Sequence, residues 1–237
     1  MKKCFLIAAA TAVLLSGCAS RSDTSDNSKS PKGNSSITLK AEDSSKLHEC
    51  TEIACQRLVS IYPGVQYDIS YNNDDTSTIE FDVSAENWNE DTLDIVVKHG
   101  EMTFRKGDGS ETDSNGKNVP TGEVVLDNTD IDTVSATMMR TENDMEYAVV
   151  ITTNNAGKEK LAEATGELAG TSTPLAIWFD NELISAPTVS AQILDGNAII
   201  SGNLTAESSM ELAAAIDSGA LPCGLEITKH TIGDDNK

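Results

Sequence analysis

Two short runs constrain this chain more than any other stretch of it. "VQYDISY" (65–71) and "TIEFDVS" (78–84) alternate apolar and polar side chains on either side of "NNDDTS" (72–77). A period of two places every second side chain on one face, so each run reads as a half-buried strand. The Asn/Asp turn between them closes a hairpin. A hairpin with one apolar face cannot stand alone, and something must cover that face. The flanking sequence supplies the covers. A helix is expected from Asp43 to Ile61, started by Asp or Ser and stopped by Pro63-Gly64. A weak strand, Ile37 to Leu39, precedes it. Asn89 to Val97 reads as a short helix, and Glu101 to Lys106 as a closing strand. The order βαββαβ describes a ferredoxin-like base, with helices on one face of a sheet.

A second block follows. Residues 107–123, "GDGSETDSNGKNVPTGE", form an acidic loop. Glu111, Asp113, Asn115 and Gly116 fall at positions 1, 3, 5 and 6 of a calcium loop. Position 12 is Gly122, where a bidentate Glu is needed, and Glu123 misses by one, so no metal site is expected. From 124 to 222 strands and helices alternate again. "VSATMMRT" and "EYAVVITTN" read as strands around "ENDM". A helix from Ala156 to Leu168 is capped by Asn154-Asn155, and "PLAIWFD" and "ELISAPTVS" are strands turned at Asp180-Asn181. Pro187 lacks an N–H, so it marks an edge or a bulge. In "AIISGNLTAESSMELAAAIDSGALP" a strand leads to Thr205 as helix N-cap. Ser209, Leu212, Ala213 and Ile216 share one stripe, and Gly219 and Pro222 end the helix. These residues carry no chemistry; their role is architectural.

The start of the chain places the rest. Lys2 and Lys3, an apolar run from Phe5 to Leu15, and Leu15-Ser16-Gly17-Cys18 read as an export signal (1–17) ending in a lipobox, with a diacylglycerol expected on Cys18. That run is too short to span a bilayer. Residues 18–36, rich in Ser, Asp, Asn and Gly, form a tether with a root-mean-square reach of roughly 23 Å. The expected location is the extracytoplasmic face of a cell membrane. With 38 Asp+Glu against 17 Lys+Arg, a net charge of −21, the surface repels phosphate backbones, so nucleic acid is excluded as a partner.

Cys50, Cys55 and Cys223 remain once the signal is removed and Cys18 is lipidated, an odd count for an oxidising compartment. Cys50 falls on the stripe Leu47, Cys50, Ala54, Leu58, Ile61. Cys55 lies about 140° further round the helix, so these two are poorly placed to pair. A bridge, if formed, joins Cys50 or Cys55 to Cys223. His48, His99 and His230 sit in no nucleophile elbow or zinc spacing, so a small envelope hydrolase is the weakest reading. No catalytic residue and no cofactor are expected.

The motifs "FDNELISAPTVSAQI", "ISGNLTAE" and "SGALPCGLEITKHTIG", in that order, resemble the large extracytoplasmic domain of the SecD family of protein-export membrane proteins. "VVITTNNAGKEKLAEATGELAG" resembles the strand and helix before those motifs. "RLVSIYPGVQYDISYNNDDTSTIEFDV" and "GEMTFRK" resemble the base of that domain more loosely. The resemblance implies an α+β fold, a base over 37–106 carrying an inserted head over 124–222, with a strand over 225–233 returning to the base before a tail, 234–237. In the family this exit continues into membrane helices that supply proton-coupled movement; this chain ends at "TIGDDNK", so a module without the motor is expected.

The resemblance also implies binding of polypeptide or a protein partner outside the membrane, in protein export or folding. The expected contact is an open sheet edge beside Pro187, or a groove between head and base, with Ser185, Ala186, Pro187, Gly202 and Asn203 as candidate contact residues. The alternative is a structural component whose acidic face docks on a fixed basic partner. Oligomeric state is not legible.

Overall fold

The computed structural model describes residues 35–72, 75–84, 90–140 and 145–231; the signal, Cys18 and the tether to residue 34 lie outside the described residues. The first elements are β1 (Ser35–Ala41), a 3-10 turn (Ser44–Lys46) running into α1 (Leu47–Ile61), β2 (Gln66–Tyr71), β3 (Thr78–Ser84) and α2 (Glu90–Val97). Next come β4 (Met102–Lys106), β5 (Val124–Asp127), β6 (Ile131–Arg140), β7 (Met145–Thr153) and α3 (Asn155–Leu168). The chain continues through β8 (Leu175–Phe179), β9 (Glu182–Ser185), β10 (Asn197–Ser201), α4 (Ala206–Asp217) and β11 (Leu225–Thr231).

The alternating runs form the hairpin their periodicity requires. β2 and β3 pair antiparallel from Gln66 opposite Ser84 to Tyr71 opposite Ile79. They extend into a sheet ordered β11-β1-β3-β2, antiparallel throughout. Ile37, Leu39 and Ala41 of β1 and Ile79, Phe81 and Val83 of β3 are buried, as are Leu47, Cys50, Ala54 and Leu58 of α1. β1 begins at Ser35, two residues inside the segment expected to be tether.

Glu101–Lys106 does not close this sheet. Met102–Lys106 is β4, and it pairs with β8 on one side and β5 on the other. The strand beside β1 is β11, which returns after the whole of β4 to α4. Burial explains the choice. Three successive β4 residues, Met102, Thr103 and Phe104, are buried, so both faces of the strand are covered, as in an interior strand. β11 buries only Leu225 and leaves five of its seven residues exposed, which suits an edge.

The insert between α2 and β11 carries two more sheets, β10-β7-β6 and β5-β4-β8-β9, so the fold is mixed α+β. Local signals set its elements. Asn154 Oδ1 accepts the Gly157 N–H at 3.0 Å at the start of α3. Thr205 and Ser208 form a reciprocal capping box on α4. Asp180 and Asn181 both have positive φ, 48° and 63°, at the β8–β9 turn, the conformation a two-residue hairpin loop demands. β9 is shorter than "ELISAPTVS" suggested. It ends at Ser185, and the segment past it meets β8's leading residues through the Pro187 carbonyl and a single bridge from Thr188 to Pro174. The acidic loop also covers core: buried Gly109 lies against Trp178 and Leu183, where any Cβ would collide.

α4 joins the layers. It packs against β6 and β7 on one side and against α1 and α2 on the other. Six of its twelve residues, Ser209 and Leu212 to Ile216, are buried. The small Ala213, Ala214 and Ala215 let it approach both neighbours closely. Among the described residues no helix is long and apolar enough to cross a membrane.

Candidate functional site

The chain crosses between the base sheet and the insert twice, outward at 98–101 and back at 218–224. Arg57, on the inner face of α1, keys both crossings and is fully buried. Its Nε donates to Ser218 Oγ at 2.9 Å. Nη1 donates to the carbonyls of Ile95 and Val96, each at 3.2 Å, and to that of Lys98. Nη2 donates to the Gly219 carbonyl at 3.0 Å and reaches His99 O at 3.5 Å. These acceptors lie in the last turn of α2 or just past the ends of α2 and α4, where helix geometry leaves carbonyls unpaired and the dipoles present partial negative charge. Among the described residues no carboxylate forms an ion pair with this buried cation. Burial pulls the guanidinium down to about 10, and Asp180 acts in the opposite direction. Gly100, at φ 81°, fits beneath it: a Cβ there would lie 2.5 Å from Arg57 Nη2 and 2.9 Å from Gly219 O. The Leu221 N–H donates to His99 O at 2.7 Å, tying the outgoing strand of chain to the returning one.

One helical turn along α1 from this cluster, a shallow groove of about 250 Å³ opens between α1, α4 and β6. Ser60, Val134, Ala136, Met210, Ala213 and Asp217 line it. Among the described residues β6 is an edge strand, ten residues long and paired only with β7. The Val134 N–H is turned away from β7 and donates to Asp217 Oδ1 at 2.7 Å. Alternation along an antiparallel strand turns the backbone groups of Ala136, Met138 and Arg140 the same way. Met138 is 50% exposed and Met210 42% exposed, both large apolar side chains on the surface. Chemically the site offers a row of main-chain donors and acceptors beside adaptable apolar side chains.

The candidate contact residues do not assemble into one site. Ser185, Ala186 and Pro187 lie at the end of β9, the edge of one sheet, whereas Gly202 and Asn203 make the turn after β10 in another. Asn203 is there for its left-handed backbone, φ 53°. The three histidines are also dispersed. His48 lies 3.4 Å from Tyr71 Oη and 3.4 Å from Glu52, His99 contributes its backbone to the crossing, and His230 stands on β11. In the loop, Asp113 turns its carboxylate inward onto the N–H groups of Asn115 and Lys117, at 2.8 and 2.9 Å, which hold its pKa below the usual range. Among the described residues no three His, Cys, Asp or Glu side chains gather as a metal site.

Of the cysteines, Cys50 and Cys223 meet, with their sulfurs 3.6 Å apart. Cys55 is buried on another side of α1. Arg57 and the β6 edge were not legible as sites. The signal for Arg57 was available: it is a charged residue between Ala54 and Leu58 on a helix face otherwise apolar.

A base sheet carrying a two-sheet insert, keyed at the crossings and open along one strand, defines a class of two-part α+β module. The comparisons give that class a family. The model of the SecDF P1 head subdomain matches residues 104–223. The protein translocase subunit SecD of Rickettsia felis is 36% identical over 156 residues, which is 65% of this chain and 29% of that protein. The SecD subunit of Synechocystis is 36% identical over 93 residues, 37% of this chain and 20% of that protein. A solved chain described under "Structure and function of a membrane component SecDF that enhances protein export" superposes with a TM-score of 0.61 at 20% identity, covering 82% of this chain and 98% of that one. SecDF in its super-membrane-facing form gives 0.60 at 18%, covering 83% and 30%; both likenesses are of fold. The chain belongs to the SecDF P1 head subdomain family, and it spans less than a third of the length of the curated relatives it matches.

Proposed function

We propose that this chain is a lipid-anchored, non-catalytic module on the extracytoplasmic face of a membrane that holds polypeptide in extended form in the service of protein export. The carrying observation is β6: a ten-residue strand paired on one side, whose residues Val134 and Ala136 line a groove with Met210 and which carries the exposed Met138 further along. An extended chain docking there completes its backbone hydrogen bonds whatever its sequence, and methionines re-pack around differing side chains. Asp217, which occupies the outward N–H of Val134, sets where such a strand must begin. The relatives' description as translocase subunits supports a client of this kind, and Leu15-Ser16-Gly17-Cys18 supports the anchor. We place the base over 37–101 with the returning strand and the head over 102–222, so that β4 falls on the head side.

Anisotropy titration with a labelled, permanently unfolded secreted protein tests this. Micromolar binding is expected, weakened at least about tenfold by Met138→Lys and left intact by Pro187→Ala. Absence of binding at high micromolar concentration removes the proposal. Binding abolished by moderate salt and indifferent to Met138 would favour the alternative, an acidic surface docked on a fixed basic partner.

A further inference from the structure

We infer that Cys50 and Cys223 are a cross-linking site, a thiol pair that closes to a reversible disulfide and staples the base to the returning segment of the insert. The two sulfurs lie 3.6 Å apart, and they come from positions 173 residues distant in sequence. Bond formation needs an approach of roughly 1.5 Å. Cys223 can supply it, because it lies in the irregular segment between α4 and β11, whereas Cys50 is fixed on α1 and wholly buried. Cys50 and Arg57 are seven residues apart on one helix, close to two full turns, so they share a face. That face meets Ser218 and Gly219 through Arg57 and Cys223 through Cys50. The cross-link would therefore reinforce a contact the fold already makes. Cys55, on a different side of α1, has no part in it.

The oxidant is a small disulfide or a dithiol–disulfide oxidoreductase. Cys223 is partly exposed and is the first nucleophile. Its thiolate attacks one sulfur of the oxidant, breaking that S–S bond, and the departing thiolate takes up the proton Cys223 gave away. Burial pushes the Cys50 thiol up to about 12, so it stays protonated until the mixed disulfide is beside it. Cys50 then gives up its proton, attacks the Cys223 sulfur and displaces the second thiolate, which is protonated in turn. Two protein thiols are oxidised and one oxidant disulfide is reduced to two thiols.

The inference depends on the extracytoplasmic placement proposed above for its occurrence in the cell, but its chemistry is tested apart from polypeptide binding. The full chain is equilibrated with a mixture of oxidised and reduced glutathione, alkylated, digested and mapped by mass spectrometry, with thermal unfolding followed before and after dithiothreitol. A linked Cys50–Cys223 peptide pair is expected, with a Tm higher than that of the reduced protein by on the order of 5–15 °C. Cys223→Ala, at a partly exposed position, should abolish both, and Cys55→Ala should abolish neither. Separate alkylation of Cys50 and Cys223 after oxidation would overturn the inference. So would a link through Cys55, or glutathione retained on Cys223.

Discussion

Around Arg57 all three guanidinium nitrogens donate to acceptors and the side chain is sealed from water, whereas along β6, one helical turn away, main-chain groups face outward and the exposed Met138 and Met210 stand on β6 and α4. The two regions share α1 and α4. They differ in what is left unpaired. A buried charge tolerates only one arrangement, because losing any partner leaves a desolvated donor or carbonyl; an open edge with flexible thioethers accepts many partners, because thioethers re-pack around different shapes. The contrast teaches that specificity of assembly and tolerance of partners can be set side by side by assigning the polar groups of one helix end to the interior and those of one strand to the surface.

The largest effect should come from removing the key. Arg57→Leu leaves the carbonyls at the ends of α2 and α4 without donors, and urea unfolding should show a loss of about 3–5 kcal/mol. A loss under about 1 kcal/mol would mean that the crossings are held by their own backbone, and the contrast would fail.

A paired glycine experiment sharpens it. Gly100 and Gly219 have nearly the same positive φ, 81° and 82°, but a Cβ on Gly100 meets Arg57 and Gly219 O, while around Gly219 there is open space. Gly219→Ala should cost about 1 kcal/mol, the strain of the backbone alone, and Gly100→Ala about 1–3 kcal/mol beyond that. Equal losses would show that the cluster has room to give.

At the open edge stability should hardly respond. Met138→Lys is expected within about 0.5 kcal/mol of the parent in the same unfolding measurement. A larger loss would mean that Met138 is part of the core rather than of a docking surface.

The parts of this architecture that sequence revealed are those whose causes are local. The period-two hairpin at 65–84, the Asn154 and Thr205 caps and the Asp180-Asn181 turn each follow from a few adjacent residues, and each is present. The pairing of strands is not local. β4 looked like the last strand of the base because it came next, and only its burial on both faces shows why it belongs between β5 and β8. The site suffered in the same way. Gly202-Asn203 stand out in sequence as turn formers and bend the chain after β10, whereas Ser185 ends β9 and Pro187 offers its carbonyl to Leu175 at the sheet edge. The freedom of β6's edge depends on sheet order, and Arg57's role depends on two helix ends distant in sequence. Of three cysteine pairings, helix periodicity could disfavour one; choosing Cys50 over Cys55 for Cys223 took the packing of α1 on the returning segment.

The hydrogen bond from Leu221 to His99 has a consequence for how such a chain could evolve. With departure and arrival pinned within one bond's reach, everything between them behaves toward the base as a single loop, whatever its length. Closing a flexible loop of twice the size adds only about 0.6 kcal/mol. The lobe is thus held like a cassette in a socket, and lengthening, trimming or exchanging it would leave the platform's own topology untouched.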